Sequence, residues 1–410
     1  MGEKLAIDGG PKVRTKPWPR WPVYGEEEIE LIAQILRSGN THFVRSTVSK
    51  DFEKRFADWN GSKHAICCNS GTSAIHMALA AGGVGPGDEV IVPPRTFIGT
   101  VSPVLYQNAV PVFADIDPAT HNISPAAIRE VITERTKAII PVHLAGLPCD
   151  MDAIMAIARE HNLLVVEDCA QAHGAEYKGR KVGTIGQVNA FSMQDSKILN
   201  TTGDGGMVTT DSDEYAIFCR EFRNHGFLST RRHDDLHIYI HPRMGYNYRM
   251  TEIQAAVGLK AMDRLDGYIA TRRANGASLS REIAKIDGLI PMAEPPGCKC
   301  TYYVYYGTMQ LEKFRVTRDQ FVRAAQAEGV SIRIGTSAEL YTQEFFQKKA
   351  AHSWDPRIYK GHVDYTKLVC PVARQVGQET FGIEVAPPAT AEDMADVVAA
   401  LQKVANAYRR

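Results

Sequence analysis

The stretch HAICCNSGTSAIHMALAAGG, residues 64–83, carries an apolar run through Asn69-Ser70-Gly71-Thr72-Ser73 and straight into a helical pattern. A buried strand that turns into a helix without a linker is half of a strand–helix–strand unit, and chains of such units build parallel sheets covered by helices. Out to about Gly226 the unit repeats, with further strand candidates DEVIVPP (88–94), VPVFADI (110–116), KAIIPVHL (137–144), LLVVEDC (163–169), VNAFSMQ (188–194) and GGMVTT (205–210). Between them, MDAIMAIAREHN (151–162) places Met151, Ile154, Met155 and Ala158 on one helical face, and Gly, Pro and Asp mark short connections. The reading is an α/β fold whose large domain holds a mainly parallel seven-stranded sheet.

A chain of 410 residues exceeds what one core organises, and a 44% hydrophobic fraction supplies material for a second. After a long helical stretch over 245–286 the pattern changes to a strand-like TYYVYYGTMQL, an amphipathic TRDQFVRAAQAEG and a closing helix AEDMADVVAALQKVANAYRR. We therefore expect an N-terminal arm over 1–30, a large domain over 31–265 and a smaller α+β domain over 266–410.

Lys+Arg and Asp+Glu both total 47, so no net field attracts nucleic acid or an anionic membrane. No apolar window suits a membrane span or signal peptide, and the expectation is a soluble, cytoplasmic protein with small-molecule substrates. Eight cysteines are too sparse for a disulfide framework and read as reduced packing residues. Cys298 and Cys300 lack the second spaced pair of a thiolate metal site, so no metal is expected.

Three places offer chemistry. Gly71, Thr72 and Ser73 open a helix with free N–H groups and hydroxyls, a ready anion site, although Ser70 or Thr72 could simply cap the helix. Glu167 and Asp168 lie at the C-terminal end of a buried strand, where open α/β sheets hold ligands; a protonated ring nitrogen or a structural ion pair would serve either acid. Lys197 follows an apolar strand carrying Ser192 and precedes Gly203, Gly205 and Gly206, glycines that would let backbone crowd a ligand. A surface lysine is the ordinary alternative, but a partly desolvated amine here suits Schiff-base chemistry. In this chain order an anion cradle, an acid and a lysine are what pyridoxal 5'-phosphate requires.

The series NSGTSAIHMAL, GPGDEVIVPPRTF, KAIIPVHLAGLPCDMDAI, VVEDCAQAHGAEYKGRKVG, FSMQDSKILNTTGDGGM, RNHG and GYNYRMTEIQAAVG resembles the DegT/DnrJ/EryC1/StrS family of sugar aminotransferases, over most of the chain as far as the small domain. The resemblance implies the fold type I aminotransferase architecture, a homodimer with shared active sites, and amino transfer from glutamate or glutamine to a keto-sugar or keto-cyclitol. It implies Lys197 as Schiff-base lysine and proton shuttle, and Asp168 on the pyridinium nitrogen. Thr72, Ser73 and Ser192 would hold the phosphate, Phe97 would stack on the ring, Gln171 would lie near the phenolic oxygen, and Asn247 would reach the neighbouring subunit's phosphate.

The opening residues and Gln194 of SMQDSK lean toward cyclitol aminotransferases and aminohydroxybenzoate synthases, and a dehydratase like the latter is the alternative activity that the resemblance leaves open. Two departures stand out: Asp204 where relatives mostly carry Glu, and CTYYVYYGTM without the histidine many members place before their aromatic strand residues. Lys197 argues against the branch that replaces it with histidine and dehydrates sugars. A non-catalytic regulator would call for an appended nucleic-acid-binding segment, and a nicotinamide dehydrogenase for a glycine fingerprint that GGVGPGD does not supply. His143 and His173 position cofactor or substrate or finish a strand, and Arg249 meets a substrate carboxylate or supports the loop at Asn247.

Overall fold

The structure, a computed structural model, describes residues 3–43, 47–227, 240–335 and 339–410. Seven strands form the central sheet: β1 (His64–Cys68), β2 (Glu89–Val92), β3 (Val110–Phe113), β4 (Thr136–Ile139), β5 (Leu164–Val165), β6 (Asn189–Ser192) and β7 (Gly206–Thr210). β2 pairs in parallel with β3 and β4, and β4 with β5, while β7 runs antiparallel to both β6 and β1. Parallel bridges from Asp168 to Val142 on one side and Ala190 on the other stitch the two halves together. The order is therefore 3-2-4-5-6-7-1, with only β7 reversed. The α/β reading with a mainly parallel seven-stranded sheet holds, and Asp168 sits at the seam.

Burial explains the apolar runs: every residue of β2 and β7 is buried, as expected for strands covered on both faces. The helices α1 (Glu26–Ser38), α2 (Val48–Asn60), α3 (Gly71–Ala81), α4 (Met151–Glu160) and α5 (Asp213–Phe222) belong to this part of the chain. In α4 the buried face is Met151, Ile154, Ile157 and Ala158; Met155, expected on it, is only half-buried, so the buried stripe leans toward the Ile157 side.

The long helical stretch resolves into α6 (Glu252–Ala261), opened by a Thr251–Gln254 capping box, and α7 (Leu265–Ile283). A second, antiparallel sheet follows, in which β9 (Tyr305–Met309) and β11 (Thr380–Ile383) are central and β8 (Leu289–Ile290) and β10 (Ile332–Ile334) lie at the edges. With α7, α8 (Arg318–Ala327) and α9 (Ala391–Tyr408) it encloses its own apolar cluster. Leu340, Tyr341, Phe346, Trp354, Tyr365 and Val376 instead join the cluster of the large sheet, so the chain returns to the first core before closing.

The first residues carry little regular structure yet are firmly held. Leu5 is buried in the second cluster, the Glu328 carboxylate accepts the N–H groups of Ala6 and Val13, and Arg14 Nη1 reaches Asp393 at 2.7 Å and Asp396 at 2.8 Å. Among the described residues no helix is long and apolar enough to cross a membrane. All eight cysteines are free and all but Cys298 are buried.

Candidate active site

The start of α3 is built as an open cradle. Ser70 caps it, its Oγ accepting from the Ser73 N–H at 3.1 Å, and the Ser73 hydroxyl donates to Asn69 Oδ1 at 2.6 Å. The N–H groups of Gly71 and Thr72 precede the first intrahelical bond and keep no partner, and the hydroxyls of Thr72 and Ser192 make no hydrogen bond among the described residues. Ser192 closes the cradle from β6: a Cβ on Gly71 would meet Ser192 Cβ at 2.6 Å, which only glycine avoids. Ser70 is thus the cap at this helix start, and the donors that follow it stay unclaimed among the described residues. Phe97 stands beside it, 71% exposed, and a Cβ built on Gly99 would meet both its ring and Thr72 Oγ1.

Behind the cradle, consecutive acids face opposite sides of the sheet and differ completely in their partners. Glu167 is fully buried and accepts four bonds: His143 Nε2 at 3.0 Å and the N–H groups of Gly183, Ile185 and Gly186 at 3.0, 2.8 and 2.7 Å. Burial pushes its carboxyl up, but the His143 bond and the backbone donors outweigh that and hold it below its ordinary value. Asp168, also buried, accepts among the described residues only the Thr100 hydroxyl at 2.7 Å and the Ala170 N–H at 3.0 Å. There burial wins over both bonds and over the charge of Lys197, and the carboxyl is raised above its ordinary value.

Lys197 lies in a loop that leaves β6 and returns to β7, closed by Met193 N–H to Gly205 O, Thr201 N–H to Met193 O and Asp195 N–H to Gly203 O. Its amine is half-buried, 3.5 Å from the Tyr303 hydroxyl and 4.5 Å from the centre of the Tyr303 ring. The glycines work differently from expectation. A Cβ on Gly205 would strike Thr201 Oγ1 and one on Gly206 the Ser70 carbonyl, so both serve protein-to-protein packing, and Gly203 supplies a turn at φ 98°. Gly206 thereby ties the lysine loop to the cradle.

Gln171 Oε1 accepts the N–H of Ala145 at 2.8 Å, leaving its amide nitrogen uncommitted among the described residues. Ala145 adopts a left-handed backbone at φ 59°, costing about 1–2 kcal/mol, in a turn whose carbonyl accepts the Tyr303 N–H at 2.9 Å. Asn247 stands apart: exposed, without a side-chain hydrogen bond among the described residues, and placed by a backbone bridge to Asn224. Arg249 donates to Asn224 Oδ1 at 2.8 Å, which supports that segment.

His143 Nδ1 accepts the Cys149 N–H at 3.0 Å, so Nε2 carries the proton toward Glu167 and neither nitrogen is free to act as a base. His143, Glu167 and Cys169 place ligand-type atoms within 4.8 Å of one another, but His143 and Glu167 are already committed to each other at 3.0 Å. His173 is buried against Phe191 with both nitrogens unpartnered, and burial, helped by Lys197 and Arg272, lowers it to about 3, so it stays neutral. Sequence reasoning missed Thr100, Ser196, Tyr303 and Trp21, whose indole N–H donates to the Lys197 carbonyl at 3.3 Å. Ser196 lies within SMQDSK, Trp21 within the opening residues and Tyr303 within CTYYVYYGTM, but none is given a role by sequence, and Thr100 leaves no trace.

Comparison with known proteins fits this geometry. The sequence model of the DegT/DnrJ/EryC1/StrS aminotransferase family matches residues 22–402. The GDP-perosamine synthase of Caulobacter vibrioides is 45% identical over 286 residues, 69% of this chain and 74% of that protein. The L-glutamine:2-deoxy-scyllo-inosose aminotransferase of Streptomyces lividus is 36% identical over 98% of both chains. The X-ray structure of the aminotransferase from Psychrobacter cryohalolentis superposes with a TM-score of 0.89 at 36% identity, covering 96% of this chain and 100% of that one.

Proposed function

The chain belongs to the DegT/DnrJ/EryC1/StrS family of pyridoxal phosphate-dependent aminotransferases, and we propose that it moves an amino group from L-glutamine or L-glutamate to the carbonyl of a keto-sugar or keto-cyclitol. The observation that carries this reading is Asp168, a buried carboxylate left short of donors and raised by its burial. A protonated pyridine nitrogen would supply the missing charge and hydrogen bond.

The other residues fit the same group. The open N–H groups of Gly71 and Thr72 with the hydroxyls of Thr72 and Ser192 would take its phosphate at a helix start, where negative charge is favoured, and the Ser73 hydroxyl would join them only by giving up its bond to Asn69. The exposed Phe97 ring would cover one face of the pyridine, and the uncommitted Gln171 amide would donate to its phenolic oxygen. Bound there, the cofactor supplies an electron sink that makes the proton on the donor's α-carbon acidic. Lys197 would hold the cofactor at rest and, as a free amine, would take that proton and hand it back, while Asp168 would keep the ring nitrogen charged. The Glu167 cage and the Thr100 hydroxyl fix the strand end that carries Asp168.

Asn247, exposed and without a side-chain hydrogen bond among the described residues, would reach the phosphate in the neighbouring subunit of a homodimer. Eight free cysteines, most of them buried, support a reducing, cytoplasmic setting. The test is direct: the protein loaded with pyridoxal phosphate is reduced with borohydride and mapped. The label should fall on the peptide containing Lys197, and amino transfer from glutamine should follow with one of a panel of keto-sugars and keto-cyclitols. Label on another lysine, or none, would overturn the reading.

A further inference from the structure

Around the lysine amine the hydrogen-bond roles can be assigned in sequence. The Gln194 side-chain oxygen only accepts, and it takes both the N–H of Ser196 at 2.9 Å and the Ser196 hydroxyl at 2.6 Å. With its proton committed, Ser196 Oγ must accept across the 2.7 Å contact with Tyr303, so the phenol donates there and turns its oxygen lone pairs toward Lys197 Nζ at 3.5 Å. The ring face lies 4.5 Å from the same amine, a cation–π distance. Tyr303 is itself anchored from two sides, its N–H donating to Ala145 O at 2.9 Å and its carbonyl accepting from the buried Arg272 at 3.1 Å.

We propose that the Gln194–Ser196–Tyr303 chain is a cradle for the Lys197 amine whenever it is not joined to the cofactor, which makes Tyr303 and Ser196 positioning residues for the proton transfer; this rests on the role given to Lys197 above. The released amine must stay within reach of the donor's α-carbon, because a side chain with four rotatable bonds otherwise scatters over rotamers and loses the near-attack geometry. The polarity of the chain suits the task. An acceptor oxygen and an aromatic face hold the amine after it has taken the proton, and neither can remove that proton irreversibly at neutral pH. The sequence signals are Gln194 in SMQDSK and Tyr303 in CTYYVYYGTM, 109 positions apart yet linked through one serine.

Two readouts test it on the full-length protein. In protein freed of cofactor, acylation by an N-hydroxysuccinimide ester, read by peptide mass spectrometry as the ratio of Lys197 to the exposed Lys54, should rise about three-fold in Tyr303→Leu and less in Tyr303→Phe, which keeps the ring. In loaded protein, Tyr303→Phe and Ser196→Ala should slow the half-reaction with glutamate about ten-fold, with a larger isotope effect for α-deuterated glutamate, because the proton step then limits the rate. Phenylalanine preserves the packing, so circular dichroism should match the parent. A labelling ratio equal to the parent's in both Tyr303 variants, or a slower half-reaction with an unchanged isotope effect, overturns the proposal. Failure of borohydride to label Lys197 at all would instead strike the functional reading on which it rests.

Discussion

Two regions meet at the dipeptide Glu167–Asp168 and solve the same electrostatic problem in opposite ways. On one face Glu167 is caged by a histidine and three backbone N–H groups and is held ionised by the protein alone. On the other, Asp168 has two donors and is raised by burial. A buried carboxylate that the fold satisfies is structure; one that the fold leaves short waits for a partner. The difference teaches that burial alone does not mark a functional acid, and that counting donors does.

The hardest blow to this contrast is Asp168→Asn. Amino transfer should fall by about a thousand-fold, or ~4 kcal/mol of transition-state stabilisation, because an amide cannot keep the pyridine nitrogen charged. Stability should move the other way. A carboxyl raised on folding costs stability as pH climbs from its ordinary value of 3.8 through the raised one, and that cost persists at neutral pH. Removing the charge should leave the cofactor-free protein at least as stable as the parent in urea melts at pH 7. A clear loss of stability there would put Asp168 in the same class as Glu167.

Glu167→Gln should do the reverse. The lowered carboxyl stabilises the fold fully above its ordinary value of 4.5, and that contribution is lost as pH falls through the lowered value. The amide turns a donor toward backbone N–H groups, so the variant should lose about 3 kcal/mol at pH 7 while its bound-cofactor absorption stays in place. The deficit relative to the parent should shrink as the melts are repeated toward pH 3. Equal pH dependence in the two proteins would show that the cage is not what holds Glu167 ionised.

Much of this was legible in the chain because the large domain is written in local terms. The strand-to-helix junction at Asn69–Ser73, the apolar runs and the strand-end acids each occupy a few consecutive residues, and period and composition read them directly. What escaped reading depends on distance. Glu167 and Asp168 are equivalent as sequence, and their separation rests on donors at 183–186 and at Thr100 that only the fold delivers. Tyr303 meets Lys197 from 106 residues away. The return of Leu340–Val376 to the first core has no local signature, since an apolar side chain does not say which cluster buries it. The glycines after Lys197 were noticed for the right place and the wrong neighbour, because a missing side chain shows that something is close without showing what.

The smallest test asks whether the looser face of the contrast extends to the lysine loop. Trp21 donates its indole N–H to the Lys197 carbonyl at 3.3 Å, while its ring stands edge-on to Tyr268 at 4.9 Å and under Arg272 at 5.3 Å. Trp21→Phe keeps an aromatic ring in that slot while deleting the donor and part of the indole's volume; the lost hydrogen bond is worth about 1 kcal/mol. If that bond fixes the lysine backbone, the loss should appear as roughly a five-fold drop in kcat with donor KM little changed, and the melting temperature should hardly move. Trp21→Ala, which also empties the space between Tyr268 and Arg272, should lower both rate and melting temperature. A Phe variant that melts early while keeping its rate would mean that this indole, like Glu167, serves the fold, and that the front of the sheet is braced as tightly as the back.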